Sequence, residues 1–325
     1  MYKIEGSTIL VTGGAGFIGS HLCDALLGRG AHVVCMDNLS TGKTENLEHA
    51  LSSEHFVFIE GDVNDKAFLQ PIFEKYSFDY VFHYAAVLGV QRVIEQPLLV
   101  LDDIAGTRAI MELACEYGIK KVVFSSSSEA YGHMAELPLK EDTGKELSHQ
   151  THSTSLYSLV KITSEKILEV YNYNYKIPTC SLRFFNVFGP RQESSSYGFV
   201  IGIFIKQILE GKSPVIFGDG YQTRDFIYID DNINIALRAL ESEKADGHIV
   251  NVGMGRQTTI RDLAERLIDI SGKDLKPIFQ PAREYEIRYR SPDVTKMQQL
   301  LETSIEDNFN ENLAKTYEWY QSQQA

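Results

Sequence analysis

Tyr157 and Lys161 stand four residues apart in Tyr157-Ser158-Leu159-Val160-Lys161. On a helix that spacing puts a phenol and an ammonium on one face. A tyrosine is a poor base at its ordinary pKa of ~10. A nearby cation favours the phenolate and brings the group toward a range in which it can take a proton. Alone, such a pair is more often a surface feature. It gains meaning from Phe124-Ser125-Ser126-Ser127-Ser128-Glu129-Ala130-Tyr131-Gly132, which offers hydroxyls and a carboxylate where the strand Lys120–Ser127 is predicted to end. The plainer reading of that run is a Ser-rich loop capping a helix.

A second stretch, Ile9-Leu10-Val11-Thr12-Gly13-Gly14-Ala15-Gly16-Phe17-Ile18-Gly19-Ser20-His21-Leu22, reads as a strand, a glycine turn and a helix. This is the pattern of a dinucleotide-binding turn. Gly13 allows a tight turn, Gly16 lets the backbone approach a pyrophosphate, and Gly19 lets helix and strand pack closely. The helix start then offers unpaired N–H groups and a partial positive charge to the phosphates. A second strand, Ala31–Asp37, ends in an acid 18 residues past Gly19. That is where a carboxylate meets the adenosine ribose, and it favours NAD over NADP because it would repel a 2′-phosphate. A cationic nicotinamide beside Tyr157 would add to the pull of Lys161 on the phenol.

These groups must be held by a scaffold, and the first half of the chain supplies an alternation. Strands are predicted at His55–Glu60, Asp79–Ala86, Lys120–Ser127 and Thr179–Phe185. Helices are predicted at Lys66–Lys75, Gln96–Tyr117 and Ser155–Tyr175. This implies a doubly wound parallel α/β sheet of the Rossmann type, covered on both faces, with ligands beyond the carboxyl ends of the strands. After Gly189-Pro190 the rhythm breaks. Helices are expected at Gly198–Glu210, Asp231–Leu240 and Ile260–Ile270, another begins near Lys296–Leu301, and strands are expected at Val215–Phe217 and His248–Val252. The expected division is a nucleotide-binding domain over 1–186 and a smaller α/β substrate lobe over 187–325. Segments near 219–252 return to the first domain.

The 325 residues suffice for two lobes sharing a cleft. A net charge of −13 argues against general nucleic-acid binding, without excluding a local basic pocket. Cys23, Cys35, Cys115 and Cys180 lie in apolar segments without metal spacing. They read as reduced, buried thiols of a cytoplasmic protein. Neither a signal peptide nor a bilayer-length apolar run is present.

The chain resembles the extended short-chain dehydrogenase/reductase superfamily in its nucleotide-sugar epimerase/dehydratase branch. The resemblance runs over nearly the whole length. It is carried by Thr12–Leu22, Asp37-Asn38-Leu39-Ser40-Thr41-Gly42, Gly61-Asp62-Val63, His83-Tyr84-Ala85-Ala86, Tyr157 with Lys161, Leu182–Arg191, Phe217-Gly218-Asp219-Gly220 and Gln222–Phe226. It implies that Gly13, Gly16, Phe17, Ile18 and Gly19 hold the NAD pyrophosphate and that Asp37 and Asn38 hold the adenosine ribose. Asp62 and Val63 would flank adenine, Ala85 and Ala86 would line the cofactor, and Lys161 would hold the nicotinamide ribose. Ser127 would polarise the sugar C4 hydroxyl and Tyr157 would take its proton. Asn186, Arg224 and Arg283 would contact the diphosphate of a UDP-sugar, a guanidinium being well suited to it. Glu286 would contact the nucleotide ribose. The resemblance also implies a homodimer through the helices at Gln96–Tyr117 and Ser155–Tyr175, which carry surplus apolar residues: Leu98, Leu99, Ile104, Ile110, Leu159, Ile162 and Ile167.

Three features depart from common 4-epimerases. Glu129 follows the serines, as in UDP-glucuronate decarboxylases and GDP-mannose 4,6-dehydratases. The segment Asp142–Tyr157 is long and lacks Ser-Pro-Tyr. Arg290 stands where sugar-size gate residues occur, and could meet an acidic sugar or face solvent. The expected function is an NAD-dependent nucleotide-sugar 4-epimerase working through a transient 4-keto sugar, with a 4,6-dehydratase or UDP-glucuronate decarboxylase as the alternative. Glu129 then either orders Ser127 or works as an acid or base near C5–C6. A simple NADPH-dependent reductase and a non-catalytic NAD sensor fit less well, since Asp37, Tyr157 and Lys161 are all present.

Overall fold

The computed structural model describes residues 2–87, 93, 95–132, 136–144, 147, 155–194, 199–282 and 287–323. Seven parallel strands form its centre: β1 (Thr8–Thr12), β2 (His32–Asp37), β3 (Phe56–Glu60), β4 (Tyr80–His83), β5 (Lys121–Ser127), β6 (Thr179–Phe184) and, after β7 (Asn186–Phe188), β8 (Val215–Phe217), β9 (Thr223–Arg224) and β10 (Phe226–Tyr228), the strand β11 (His248–Val252). Their order is β11-β6-β5-β4-β1-β2-β3. The order reverses beside β1, and that switch point is where an open α/β sheet receives its ligand.

The strands are nearly continuous apolar runs because both faces are covered. Ile9 and Val11 of β1 point into a layer with Leu22 and Leu26 of α1 (Phe17–Gly28). Leu10, between them, points the other way, toward Leu69, Phe73, Ile110 and Leu168. Those residues come from α3 (Lys66–Tyr76, after the short α2 at Glu48–Leu51), α4 (Pro97–Glu116) and α5 (Ser155–Tyr175). Burying one such side chain is worth about 1.5–3 kcal/mol, so the period-two alternation fixes which face each helix covers.

The remaining helices are α6 (Val200–Leu209), α7 (Ile229–Glu241), α8 (Ile260–Ser271), α9 (Thr295–Leu301) and α10 (Phe309–Ser322). Leu263, Leu267, Leu313 and Tyr317 join the same apolar cluster as the α1 face of the sheet. The later strands form three two-stranded pairs, β10 with β7, β12 (Thr258–Thr259) with β9, and β13 (Ile278–Gln280) with β8. No helix among the described residues is long and apolar enough to cross a membrane.

Several expectations need correction. The strand read as Asp79–Ala86 ends at His83, where the chain leaves the sheet as a loop carrying Ala85 and Ala86. Ile110 is fully buried, so it is not spare surface. Cys115 is exposed, unlike the other three thiols, because it lies near the end of α4. The strand β8 lies where it was expected, whereas the helix α10 and the other two- and three-residue strands lacked a readable pattern. Much of the long segment Asp142–Tyr157 lies outside the described residues.

Candidate active site

The glycine turn connects β1 to α1. Gly13 has φ +71°, and a Cβ there would lie 2.6 Å from the backbone nitrogen of Ala85. At Gly19 a Cβ would lie 2.2 Å from the Gly13 carbonyl oxygen. Gly14 carries a constraint that the motif does not express: its Cβ would meet Cys35 Sγ at 2.4 Å. Gly16 is the open one, its nearest neighbour being the Gly13 oxygen at 3.3 Å. Gly16 is also the N-cap of α1, which has no side-chain cap and no acid in its first turn. Its free N–H groups therefore face outward beside the half-buried Phe17 and Ile18, a fit for a pyrophosphate.

Asp37 ends β2, with Oδ2 accepting the Ala15 N–H at 3.0 Å and Oδ1 accepting that of Leu39 at 2.9 Å. Burial pushes its carboxyl up, and the backbone N–H groups of Leu39, Ala15 and Gly16 pull it back. The acid thus anchors the glycine turn itself. Asn38 is exposed, Asp62 is exposed just past β3, Val63 beside it is buried, and Ala85 and Ala86 are half-buried past β4. All lie at carboxyl ends of strands around the switch point.

Ser127 ends β5 and starts a short 3₁₀ turn, Ser128–Tyr131, by accepting the Glu129 N–H at 3.2 Å. Of the four serines, Ser126 donates to Glu165 at 2.6 Å, Ser125 lies 3.4 Å from the His83 carbonyl, and Ser128 is buried. Ser127 is the one hydrogen-bonded to the Tyr157 phenol. Lys161, one turn along α5, donates to the Ser125 carbonyl at 2.7 Å, with its Nζ 5.5 Å from the Tyr157 ring centre.

The electrostatics of this pair differ from the sequence expectation. Burial pushes the Tyr157 phenol up, Asp103 and Glu129 push it further, and only the Ser127 hydrogen bond opposes them. Burial brings Lys161 down to about 8, against the opposite pull of Asp103 and Glu165. Desolvation and then the surrounding carboxylates thus hold Tyr157 as a neutral phenol.

Glu129 and Arg290, two separate departures in the sequence, meet. Arg290 Nη1 donates to Glu129 Oε1, and Nη2 donates to the Gly132 carbonyl at 3.0 Å. Arg290 is buried rather than facing solvent, whereas about a third of the Glu129 side chain is exposed. Behind them, Arg183 of β6 makes a two-pronged pair with Glu165 of α5 at 2.7 and 2.8 Å, neither side chain exposed. Arg183 also lies over the Tyr131 ring, whose hydroxyl donates to Asn251 at 2.6 Å.

At the other end, Asn186 donates to the Asp225 carbonyl at 2.8 Å, next to Arg224, whose Nη1 bonds the Thr223 carbonyl. The Thr223 N–H donates to the Arg288 carbonyl at 2.9 Å. The strand carrying Arg224 therefore runs beside the segment that ends in Arg290. Asn186, Arg224 and Arg290 thus border one region. Arg283 and Glu286 lie outside the described residues.

Two further features were not anticipated. Thr12 accepts the N–H groups of Tyr84 and Ala85 and meets His83 Nδ1 at 2.9 Å, while His83 Nε2 meets Thr107 Oγ1 at 3.2 Å. Burial takes His83 down to about 3, so it is a neutral structural link between turn and helix. The other is Asp103, a buried acid on α4 whose Oδ2 accepts the Val87 N–H at 2.9 Å. Its signal was available: Val100, Asp103, Thr107 and Ile110 form one buried helical stripe with a charge in it.

Comparison with known proteins gives a consistent picture. A sequence profile of the NAD-dependent epimerase/dehydratase family matches residues 9–253. A putative UDP-glucose 4-epimerase of Methanocaldococcus jannaschii is 37% identical over 297 residues, covering 90% of this chain and 92% of the relative. A UDP-N-acetyl-alpha-D-glucosaminuronate decarboxylase of Bacillus cytotoxicus is 32% identical over 318 residues, covering 96% and 97%. The crystal structure of a UDP-glucuronic acid 4-epimerase from Bacillus cereus, in complex with UDP-glucuronic acid and NAD, superposes with a TM-score of 0.85. It shares 34% identity and covers 97% of this chain and 99% of that one.

Proposed function

The chain belongs to the NAD-dependent epimerase/dehydratase family, and from that premise we propose that it is a UDP-sugar 4-epimerase. When bound, NAD supplies a reversible hydride acceptor. The open Gly16 face and the uncapped start of α1 suit its pyrophosphate, and Asp37 suits its adenosine ribose. Lys161 would hold the nicotinamide ribose. Asn186 and Arg224 would bind the sugar-nucleotide diphosphate, with Arg283 and Glu286 expected beside them.

Tyr157 takes the proton from the C4 hydroxyl, and Ser127 hydrogen-bonds both the phenol and that oxygen. The resulting 4-keto sugar turns within the site and recovers its hydrogen on the opposite face. Tyr157 then returns the proton. One acid–base group at one oxygen suffices for this reaction.

The observation that carries the epimerase reading is the Glu129–Arg290 ion pair. Dehydration or decarboxylation needs a second group at C5–C6. Glu129 is the acid two residues from Ser127, and it is engaged by a buried guanidinium. A charge-assisted pair of this kind orients a carboxylate, which suits positioning better than proton shuttling. The decarboxylase reading draws on the same pair, because opening it would free Arg290 for a sugar carboxylate. The likeness to the Bacillus cytotoxicus enzyme favours keeping it as the second reading.

The two are separated by incubation with UDP-glucose, UDP-N-acetylglucosamine and UDP-glucuronate in deuterated water, with products read by NMR. The expected product is the C4 epimer without deuterium at C5, from the wild type and from Glu129→Gln alike. Release of CO₂, or a 4-keto sugar accumulating in Glu129→Gln, would overturn the epimerase assignment.

A further inference from the structure

We infer that Asp103 is a positioning residue of this catalytic centre, the buried counter-charge that keeps Lys161 an ammonium and sets the pH at which Tyr157 ionises. The inference rests on the reading of Tyr157 as the proton-transferring group.

The geometry comes first. Helices α4 and α5 are locked side by side where Thr107 Oγ1 meets Ser164 Oγ at 3.1 Å. One turn back along α4 is Asp103; one turn back along α5 is Lys161, with Tyr157 a turn further. The side chains around this level are apolar, with Val87, Val93, Val100, Ile104 and Val160 packed together around Tyr157. Among the described residues, the Asp103 carboxylate accepts one hydrogen bond, from the Val87 N–H. A buried carboxylate in such a setting is costly without an opposite charge nearby.

Charged groups of the described residues act on the cluster from several elements. Lys161 feels Asp103 across from α4, Glu165 on its own helix, and the neutral His83 from β4. Glu165 is already engaged by Arg183. Tyr157 feels Asp103 and Glu129, and Glu129 is engaged by Arg290. Asp103 itself feels Lys161, together with the exposed acids Asp62 and Asp102. Among the described residues, Asp103 is thus the acid acting on both members of the pair whose own recorded cation is Lys161.

The sign follows. An adjacent carboxylate favours ammonium over amine and phenol over phenolate. Removing its charge lowers the pH at which each group loses its proton. The test is a tyrosinate titration by ultraviolet absorbance on the NAD-loaded enzyme, with the same titration of a Tyr157→Phe partner subtracted to isolate Tyr157. Asp103→Asn keeps the shape and an acceptor for Val87 N–H. In it the Tyr157 midpoint should fall by roughly one pH unit or more, as expected for a unit charge at this range. Asp103→Glu should restore it, and Asp103→Ser should behave like the Asn variant. Both limbs of the pH–rate profile should move to lower pH together.

An unmoved midpoint in the two neutral variants overturns the inference, even if a UDP-sugar is epimerised normally. A moved midpoint in a protein that turns over no UDP-sugar supports it and refutes the proposed reaction instead.

Discussion

The phenol of Tyr157 is held by Ser127 and opposed by two acids. If it is the proton-transferring group, Tyr157→Phe should lower turnover by roughly 10²-fold or more. NAD affinity, read by calorimetry, should change little, because the ring still fills its place. A variant with near-normal turnover would remove Tyr157 from the mechanism. The acids make a separate prediction about stability. Burial raises Asp103 and Asp225 from 3.8 to about 6 each. Between those values the folded state binds more protons than the unfolded chain. The contribution of these groups is complete below about pH 4 and is lost as pH rises through about 6. Asp103→Asn should therefore be more stable than the wild type near neutral pH, by up to about 3 kcal/mol, with the gain vanishing below about pH 4. Thermal unfolding across that range checks it, and a gain that grows toward acid would show the sign to be wrong. Tyr157 and Lys161 could be read from their spacing together with the serine run, and Ser127 was singled out within that run by the family resemblance. The Glu129–Arg290 pair could not, since 161 residues separate its partners. Asp103 was missed although it shares one helical stripe with Val100, Thr107 and Ile110.

At the scale of elements, the turn between β1 and α1 is fixed by contacts on three sides: the β4 loop at Gly13, Cys35 of β2 at Gly14, and the turn's own carbonyl at Gly19. Gly14→Ala should weaken NAD binding and lower thermal stability, because its methyl would have to displace Cys35 Sγ. Cys35→Ala should recover part of the loss in the double variant. Gly19→Ala presses on backbone and should have no such rescue. A single Gly14→Ala protein that binds NAD normally would show that Cys35 can move freely. The strands β1 to β6 were legible as runs of four to seven residues that alternate with helices as far as β6. The two-residue strands β9 and β12 have no periodicity to read. They form because the connections around Asp225 bring them together, its carboxylate accepting the Met254 and Arg256 N–H groups at 2.8 and 2.7 Å.

For the whole molecule, α4 and α5 leave apolar side chains uncovered: Leu98 is 76% exposed, Leu99 49% and Leu159 44%. A surface of this kind is the self-complementary patch a two-fold dimer uses. We expect a homodimer in solution by light scattering, and a monomer when Leu98 and Leu159 are both changed to Glu. A wild type that stays monomeric would count against the patch as an interface. The central sheet bears on how the chain acquires its structure during synthesis. Its edge strand β11 pairs in parallel with β6, His248 opposite Cys180 and Val252 opposite Phe184. A ribosome that has made everything up to residue 187 has made six of the seven strands but leaves β6 without its outer neighbour. An open parallel edge invites pairing with other chains, and distant partners are slow to arrive. The nascent N-terminal half therefore waits for about sixty more residues before β6 gains its outer neighbour. A fragment cut at the apparent boundary should aggregate, whereas one extended past Val252 should stay dispersed.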